Sequence, residues 1–311
     1  MSMKRFPVST LANGTQIELV LHDIQGRLGD GPTIGMSAAI HGDEPTGSQI
    51  LMQVAKKFAD GNFRGRLLLA PVANPPAFEV NERNTPIDSV NMNRVFPGNP
   101  DGWFTEQLAA VLTKEFLNKV DVFIDFHAGG DLATVDYNYI LNDEKLSRSF
   151  GSKVHYRPKA GFSGTMYAGV SGGITIERGV PTVVVELGGG RVDQRGYVQR
   201  GIQGVVNMMA SLGVIDEAPE PLPDQIILNE IAIIRPRHGG WLMSQAPPLG
   251  EEVAADAVVG HVIHPYTFEV LEVIKNPFKR GIMVLDHLDA TVIFPGCYGY
   301  MIGNLDTAEA A

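Results

Sequence analysis

Two histidines and a glutamate in this chain have the types and setting of a metal site. His41 and Glu44 stand three residues apart in His41-Gly42-Asp43-Glu44-Pro45, and His127 follows much later in His127-Ala128-Gly129-Gly130. Two imidazole nitrogens and one carboxylate suit zinc and leave a fourth position for water. Zinc lowers the pKa of its bound water to about 7, which makes hydroxide available at neutral pH. A nearby carboxylate must still take the proton and pass it to the leaving group. Glu186, in Glu186-Leu187-Gly188-Gly189-Gly190, is the candidate general base. Asp43 and Asp125 could be ligands instead, or could hold an imidazole in place from behind. A histidine taken at random is a surface or hydrogen-bonded core residue, and His22, His155, His238 and His287 are left in that class. His261 and His264 are three apart, and a strand would point them to opposite faces.

These residues need elements to position them. Apolar runs at 33–40, 66–73, 121–126 and 182–185 read as buried strands, and each leads into a segment that could do chemistry. The first leads into His41, the second into Asn74-Pro75, the third into His127 and the fourth into Glu186. A fifth strand is expected at 137–141. In an open α/β sheet, ligands bind beyond the carboxyl ends of the strands. The glycines after both histidines and after Glu186 allow sharp turns and leave room for substrate. Helical spacing recurs at 46–58, at 103–120 (Leu108, Leu112, Phe116, Val120) and at 195–212 (Val198, Ile202, Val205, Val206, Met209). Strands alternating with helices predict an α/β fold with a mixed, largely parallel sheet flanked by helices.

Beyond residue 213 the texture changes. The stretch 215–225, IDEAPEPLPDQ, is acidic and proline-rich, and the remainder shows short strand-like runs broken by Gly and Pro. The expected organisation is a hydrolase domain at 1–213, a linker at 214–225 and a small all-β domain at 226–311.

Composition narrows the function. A net charge of −10 argues against nucleic acid or an anionic membrane as partner, because phosphate binding needs an excess of Lys and Arg. Cys297 is the single cysteine, so a zinc finger and an internal disulfide are excluded. The first residues carry no apolar core of a signal peptide, and no run is long enough to span a membrane. A cytoplasmic location is expected.

Residues 74–98, between Glu44 and His127, form a polar, Asn-rich stretch with two arginines, Arg83 and Arg94. Such arginines can stabilise an oxyanion or clamp a carboxylate bidentately. Taken together, HGDEP at 41–45, NPPAFEVNER at 74–83, NMNRVFPG at 91–98, DFHAGG at 125–130 and VVVELGGG at 183–190 resemble the succinylglutamate desuccinylase/aspartoacylase family, a branch of the zinc carboxypeptidase superfamily. The resemblance spans roughly residues 30–212, and the β region after 225 is similar to the family's C-terminal domain. It implies that His41, Glu44 and His127 bind one zinc ion and that Glu186 shuttles the proton. It further implies that Arg83 polarises the scissile carbonyl, and that Asn93 and Arg94 bind the substrate carboxylate. The implied reaction is hydrolysis of the amide in a small N-acyl amino acid.

The chain departs from the family pattern in one place. Aspartoacylases have a further substrate arginine shortly before the catalytic glutamate, whereas Arg178 here stands near that place but not at the matching spacing. The family's C-terminal substrate tyrosine has two candidates, Tyr298 and Tyr300. The β region also resembles a biotinyl/lipoyl hammerhead, but Lys275 and Lys279 lack the context of a modified lysine. A lid or a homo-oligomer contact is the expected role. The competing readings are a metallocarboxypeptidase that trims peptides and an inactive small-molecule binding protein.

Overall fold

The computed structural model describes residues 1–158, 169–220 and 224–310. In chain order the principal elements are β1 (Ser2–Thr10), β2 (Gln16–Gln25), β3 (Thr33–Ala38), α1 (Thr46–Lys57), β4 (Arg66–Ala70), α2 (Pro75–Val80), α3 (Phe104–Glu115), β5 (Val122–His127), β6 (Ala133–Tyr139), α4 (Glu144–Ser149), β7 (Val154–Tyr156), α5 (Ser171–Glu177), β8 (Thr182–Gly188) and α6 (Arg195–Ser211). They are followed by β9 (Ile226–Leu228), β10 (Ile231–Ile234), β11 (Gly240–Ser244), β12 (Glu252–Ala254), β13 (Val258–Ile263), β14 (Val270–Lys275), β15 (Arg280–His287), β16 (Thr291–Ile293), β17 (Tyr300–Asn304) and β18 (Glu309–Ala310).

The main sheet runs β1-β2-β4-β3-β5-β8-β6-β15-β17-β10. Its centre, β4-β3-β5-β8, is parallel, and β6 joins β8 antiparallel. Strand alternation separates the two faces. Val122, Ile124 and Phe126 of β5 and Val183, Val185 and Leu187 of β8 pack with α1 and α6, through residues such as Ile50, Val54, Val205 and Met209. Phe123 points the other way, into a second core with Leu108, Leu112 and Phe116 from the α3 region. Helices therefore cover both faces of the parallel centre, and the mixed α/β architecture expected from the sequence is the one observed. The C-terminal region adds a separate four-stranded antiparallel sheet, β14-β13-β11-β16.

The differences from expectation are instructive. The N-terminal hairpin β1–β2 escaped detection because its outer strand is mostly exposed and polar. The expected 137–141 strand begins at Ala133, four residues earlier. The helix expected at 103–120 is α3 followed by a 3-10 turn at Leu117–Lys119. The polar loop after Asn74 contains α2, started by the Asn74 side chain accepting from the Ala77 N–H and by proline in the first turn. Six residues are too few to show a helical period. Of the 214–225 stretch, Val214 and Ile215 are buried in the α1–α6 core, and residues 221–223 lie outside the described residues.

Candidate active site

Asp125 and His127 share one face of β5, and Val184 and Glu186 share the same face of β8, opposite the α1–α6 core. His127 is the register partner of Glu186. Glu186 therefore lies inside β8, which runs on to Gly188, and not at the strand end expected for it. The pleat, rather than a loop, sets its direction. It opens onto a cavity of about 350 Å³ that is also lined by His41, Glu44, Arg83, Asn93, Arg94 and His127. All seven residues singled out from the sequence therefore meet at one place.

His41 reaches the cavity because β3 stops at Ala38 and Ala39 adopts a left-handed conformation, φ 52°. A non-glycine residue there costs on the order of 1 kcal/mol. The turn is held by the N–H groups of Ala73 and Asn74, which donate to the carbonyls of Ala38 and Ala39. Gly42 follows, and a Cβ on it would stand 1.9 Å from the Ala77 carbonyl oxygen. Gly129, after His127, would meet the Ala133 carbonyl at 2.0 Å. The glycines beside the histidines are thus demanded by close backbone approach.

The donor set is compact. His41 Nδ1 lies 2.8 Å from Glu44 Oε1, and His127 Nδ1 lies 2.9 Å from Glu44 Oε2. One ligand atom from each of the three buried residues lies within 4.8 Å of the others. The opposite nitrogen of each ring faces an acceptor: His127 Nε2 lies 3.2 Å from Asp125 Oδ2, and His41 Nε2 lies 3.1 Å from Asn91 Oδ1. Those acceptors favour the tautomer with hydrogen on Nε2, which leaves the Nδ1 lone pairs aimed at Glu44. Two lone pairs against a carboxylate are satisfied by a cation, and this donor chemistry fits zinc. Asp125 thus stands behind the ring and not among the ligand atoms. Its oxygens are fixed by Ser37 Oγ at 2.6 Å and Ser171 Oγ at 2.5 Å.

The electrostatics agree. Burial works against charge on His127, yet Asp125 and Glu44 outweigh it and hold that imidazole well above its usual pKa. Burial also opposes ionisation of Glu44, but His41 and His127 overcome it and hold the carboxyl well below its ordinary range. Burial lowers the pKa of His41, with Glu44 opposing, so of the two rings it is His127 whose surroundings favour positive charge. Glu186 behaves differently. Burial pushes its carboxyl up to about 8, with His127 and Arg83 opposing and Glu44 reinforcing the rise. Asp43, beside Glu44, is raised to about 6, chiefly by burial.

The substrate-side residues are placed as follows. Arg83 Nη1 donates to Glu44 Oε1 at 2.9 Å and stands 3.3 Å from His41 Nδ1. Asn93 is buried, accepts the Ser171 N–H at 2.9 Å and points its amide nitrogen to within 3.4 Å of His127 Nε2. Arg94 is exposed at the cavity rim, with one N–H on the Asn93 carbonyl at 2.6 Å. Arg178 donates to the Leu117 carbonyl and does not line the cavity. Tyr298 lines it, whereas Tyr300 is fully buried elsewhere in the C-terminal core. Sequence reasoning missed Ser37 and Ser171, which lie 88 and 46 residues from the Asp125 they fix and carry no local signal. Asn91 could have been noticed, since it opens the NMNR motif.

A mixed α/β fold carries a buried two-histidine, one-carboxylate group that could hold a metal ion, beside a glutamate of raised pKa. The model of the succinylglutamate desuccinylase/aspartoacylase catalytic domain matches residues 30–212, and the chain belongs to this family. It is 28% identical over 274 residues to the N-alpha-acetyl-L-2,4-diaminobutyric acid deacetylase of Halomonas elongata, covering 85% of this chain and 80% of that protein. A succinylglutamate desuccinylase from Silicibacter sp. TM1040 superposes with a TM-score of 0.83 at 26% identity, covering 96% of this chain and 93% of that one. The product-bound ectoine utilization protein EutE (DoeB) of Ruegeria pomeroyi has the same fold, with a TM-score of 0.81 at 24% identity and coverage of 96% and 93%. Among the described residues, no helix is long and apolar enough to cross a membrane.

Proposed function

We propose that this protein is a zinc-dependent deacylase that hydrolyses the amide of a small N-acyl amino acid. The register of His127 with Glu186 is the observation that carries the reading, because it sets a proton-accepting carboxylate one strand spacing from the metal donors. Membership of the family and the deacetylase and desuccinylase names of its relatives support it.

His41, Glu44 and His127 would hold the metal. Zinc, when bound, activates water and polarises a carbonyl oxygen. Glu186 accepts the proton from the attacking water and delivers it to the leaving nitrogen. Burial raises the pKa of its carboxyl, with His127 and Arg83 opposing, so a proton accepted there can be held until it is passed on. Arg83 is the cation nearest the donor set, and it stabilises the oxyanion of the tetrahedral intermediate. Arg94, with Asn93 beneath it, presents positive charge at the rim for the substrate carboxylate. Asp125, fixed by two serines, keeps the His127 ring in register.

A cavity of about 350 Å³ suits a small molecule better than a peptide chain. We further propose that 226–311 forms a β unit whose role is to complete this cavity, since Ile231, Ile233 and Tyr298 line it. The test is metal analysis together with release of free amine from a panel of N-acyl amino acids. A folded, zinc-loaded protein inert across the panel overturns the reading. Trimming of peptides from the carboxyl end would favour the metallocarboxypeptidase alternative.

A further inference from the structure

The separate sheet β14-β13-β11-β16 is apolar on both of its faces. The inner face, with Leu242, Val262, Ile274 and Ile293, packs on Met283 of β15 and on Tyr300 and Ile302 of β17. An antiparallel sheet that buries one face ordinarily turns polar residues outward on the other. This sheet does not. Register sets Val292, Trp241, Ile263 and Val270 side by side, in a row that crosses all four strands. The next row holds Met243, His261 and Val273. Alternation along the strands turns these rows away from the buried neighbours, onto the outer face. A register shift between Val262 and Ile263 brings Val270 into the first row.

Both rows are open. Trp241 is 41% exposed, Val273 47%, Val292 48% and Val270 55%. Phe294, just after β16, and Tyr266 and Phe268, in the β13–β14 connection, extend the patch at its ends and are more exposed still. With these exposures and ordinary side-chain areas, the patch presents on the order of 800 Å² of apolar surface. The largest such patch on a typical monomer is about 300–600 Å². A partner in an interface of standard size contributes about 800 Å².

We infer that two copies of this chain associate through the outer face of this sheet, about a two-fold axis. The area matches what each half of a stable dimer supplies. Charge also selects a second copy. Of the side chains in the two rows only His261 titrates, so two chains that each carry a net charge of −10 meet here without opposed formal charges. The same net charge disfavours an anionic lipid surface as the occupant. Sheets pack face to face, and one patch used by both copies satisfies an isologous contact. Trp241, central in its row, is the anchor of the interface. The contact lies on the side of the sheet turned away from β15 and β17, and it does not depend on the deacylase reading.

The experiment is sedimentation equilibrium of the full chain over a wide range of concentration, and the expected species is a dimer. Trp241→Glu and, separately, Val292→Lys should each weaken association by about thirtyfold or more, as the loss of an interface anchor or the burial of an unpaired charge does. Both positions are exposed and lie on different strands, and circular dichroism with a thermal midpoint near the parent's identifies a folded variant. A dimer that persists undiminished in a folded variant overturns the inference. So does a parent chain that stays monomeric at every concentration, and co-sedimentation of that monomer with phosphatidylcholine vesicles would give the face to a membrane instead. The parent alone supplies a second measurement. Hydroxyl-radical labelling of the Trp241 and Phe294 side chains should fall as the chain associates, and labelling that does not change on association overturns the inference.

Discussion

His127 and Glu186 are register partners on adjacent parallel strands, so an imidazole of the buried His-Glu-His group and a buried carboxylate are held side by side by the sheet itself. Both side chains leave the same face, and backbone hydrogen bonding fixes their lateral separation. Glu186→Gln keeps the shape and removes the proton acceptor. Turnover should fall about 10³-fold, within the range for removal of a general base, while zinc content is unchanged. Metal analysis beside steady-state kinetics checks this, and surviving activity would assign the base elsewhere.

The imidazole of His127 is oriented from behind by Asp125, which Ser37 and Ser171 hold in turn. Asp125→Asn should weaken zinc binding about 10- to 100-fold, because the amide no longer anchors the Nε2 hydrogen as an ionised acceptor. Competition with a graded chelator measures the shift. Chelation should also lower the thermal midpoint of the unmodified protein, and added zinc should restore it, since the ion binds the folded donor set.

Asn74 joins the two loops that carry His41 and Arg83. Buried, it donates to the Ile40 carbonyl at 3.2 Å and to Thr85 Oγ1 at 2.9 Å, and it caps α2 through the Ala77 N–H. Asn74→Ala should destabilise the fold by about 1–3 kcal/mol, the cost of a lost cap and of buried groups left without partners. Urea unfolding reads the stability. The fraction that remains folded should still show lower kcat, because His41 and Arg83 lose their common anchor.

Asp23 on β2 receives Arg66 Nε and Nη2 from β4, each at 2.7 Å, and Lys4 Nζ from β1 at 2.5 Å. The Arg66 hydrogen bonds lead in lowering its pKa to about 2. The folded-state value lies below the unfolded one, so the stabilisation is complete above about pH 4 and is lost as pH falls through about 2. Asp23→Asn should therefore cost about 1–2 kcal/mol at pH 7, discounted for partial exposure. The gap between variant and parent should close on acidification from pH 4 toward 2. Urea midpoints of the two proteins across that range provide the measurement, and a pH-independent gap would refute the assignment.

The parallel centre and the meeting of His41, Glu44, His127 and Glu186 in one cavity were legible in the residues because each rests on local pattern. Apolar runs end beside His41 and His127, and the glycines next to them mark places where backbones meet. The position of Glu186 within its strand was not legible, because β8 continues through Leu187 and Gly188 where the glycine run suggested a turn. The short α2 was hidden by its length. The hairpin β1–β2 was hidden by its polar outer strand.

What the sequence determined alone is therefore the candidate residues, two histidines, their carboxylate neighbour and a further glutamate, and the alternating elements that carry them. Only the tertiary structure decided how these residues face one another. It put Asp125 behind His127, Asn91 behind His41 and Arg178 outside the cavity, and it laid Tyr137 next to Glu186. The physical reason is that strand register and pleat join residues tens of positions apart, through backbone hydrogen bonds that leave no trace in local spacing.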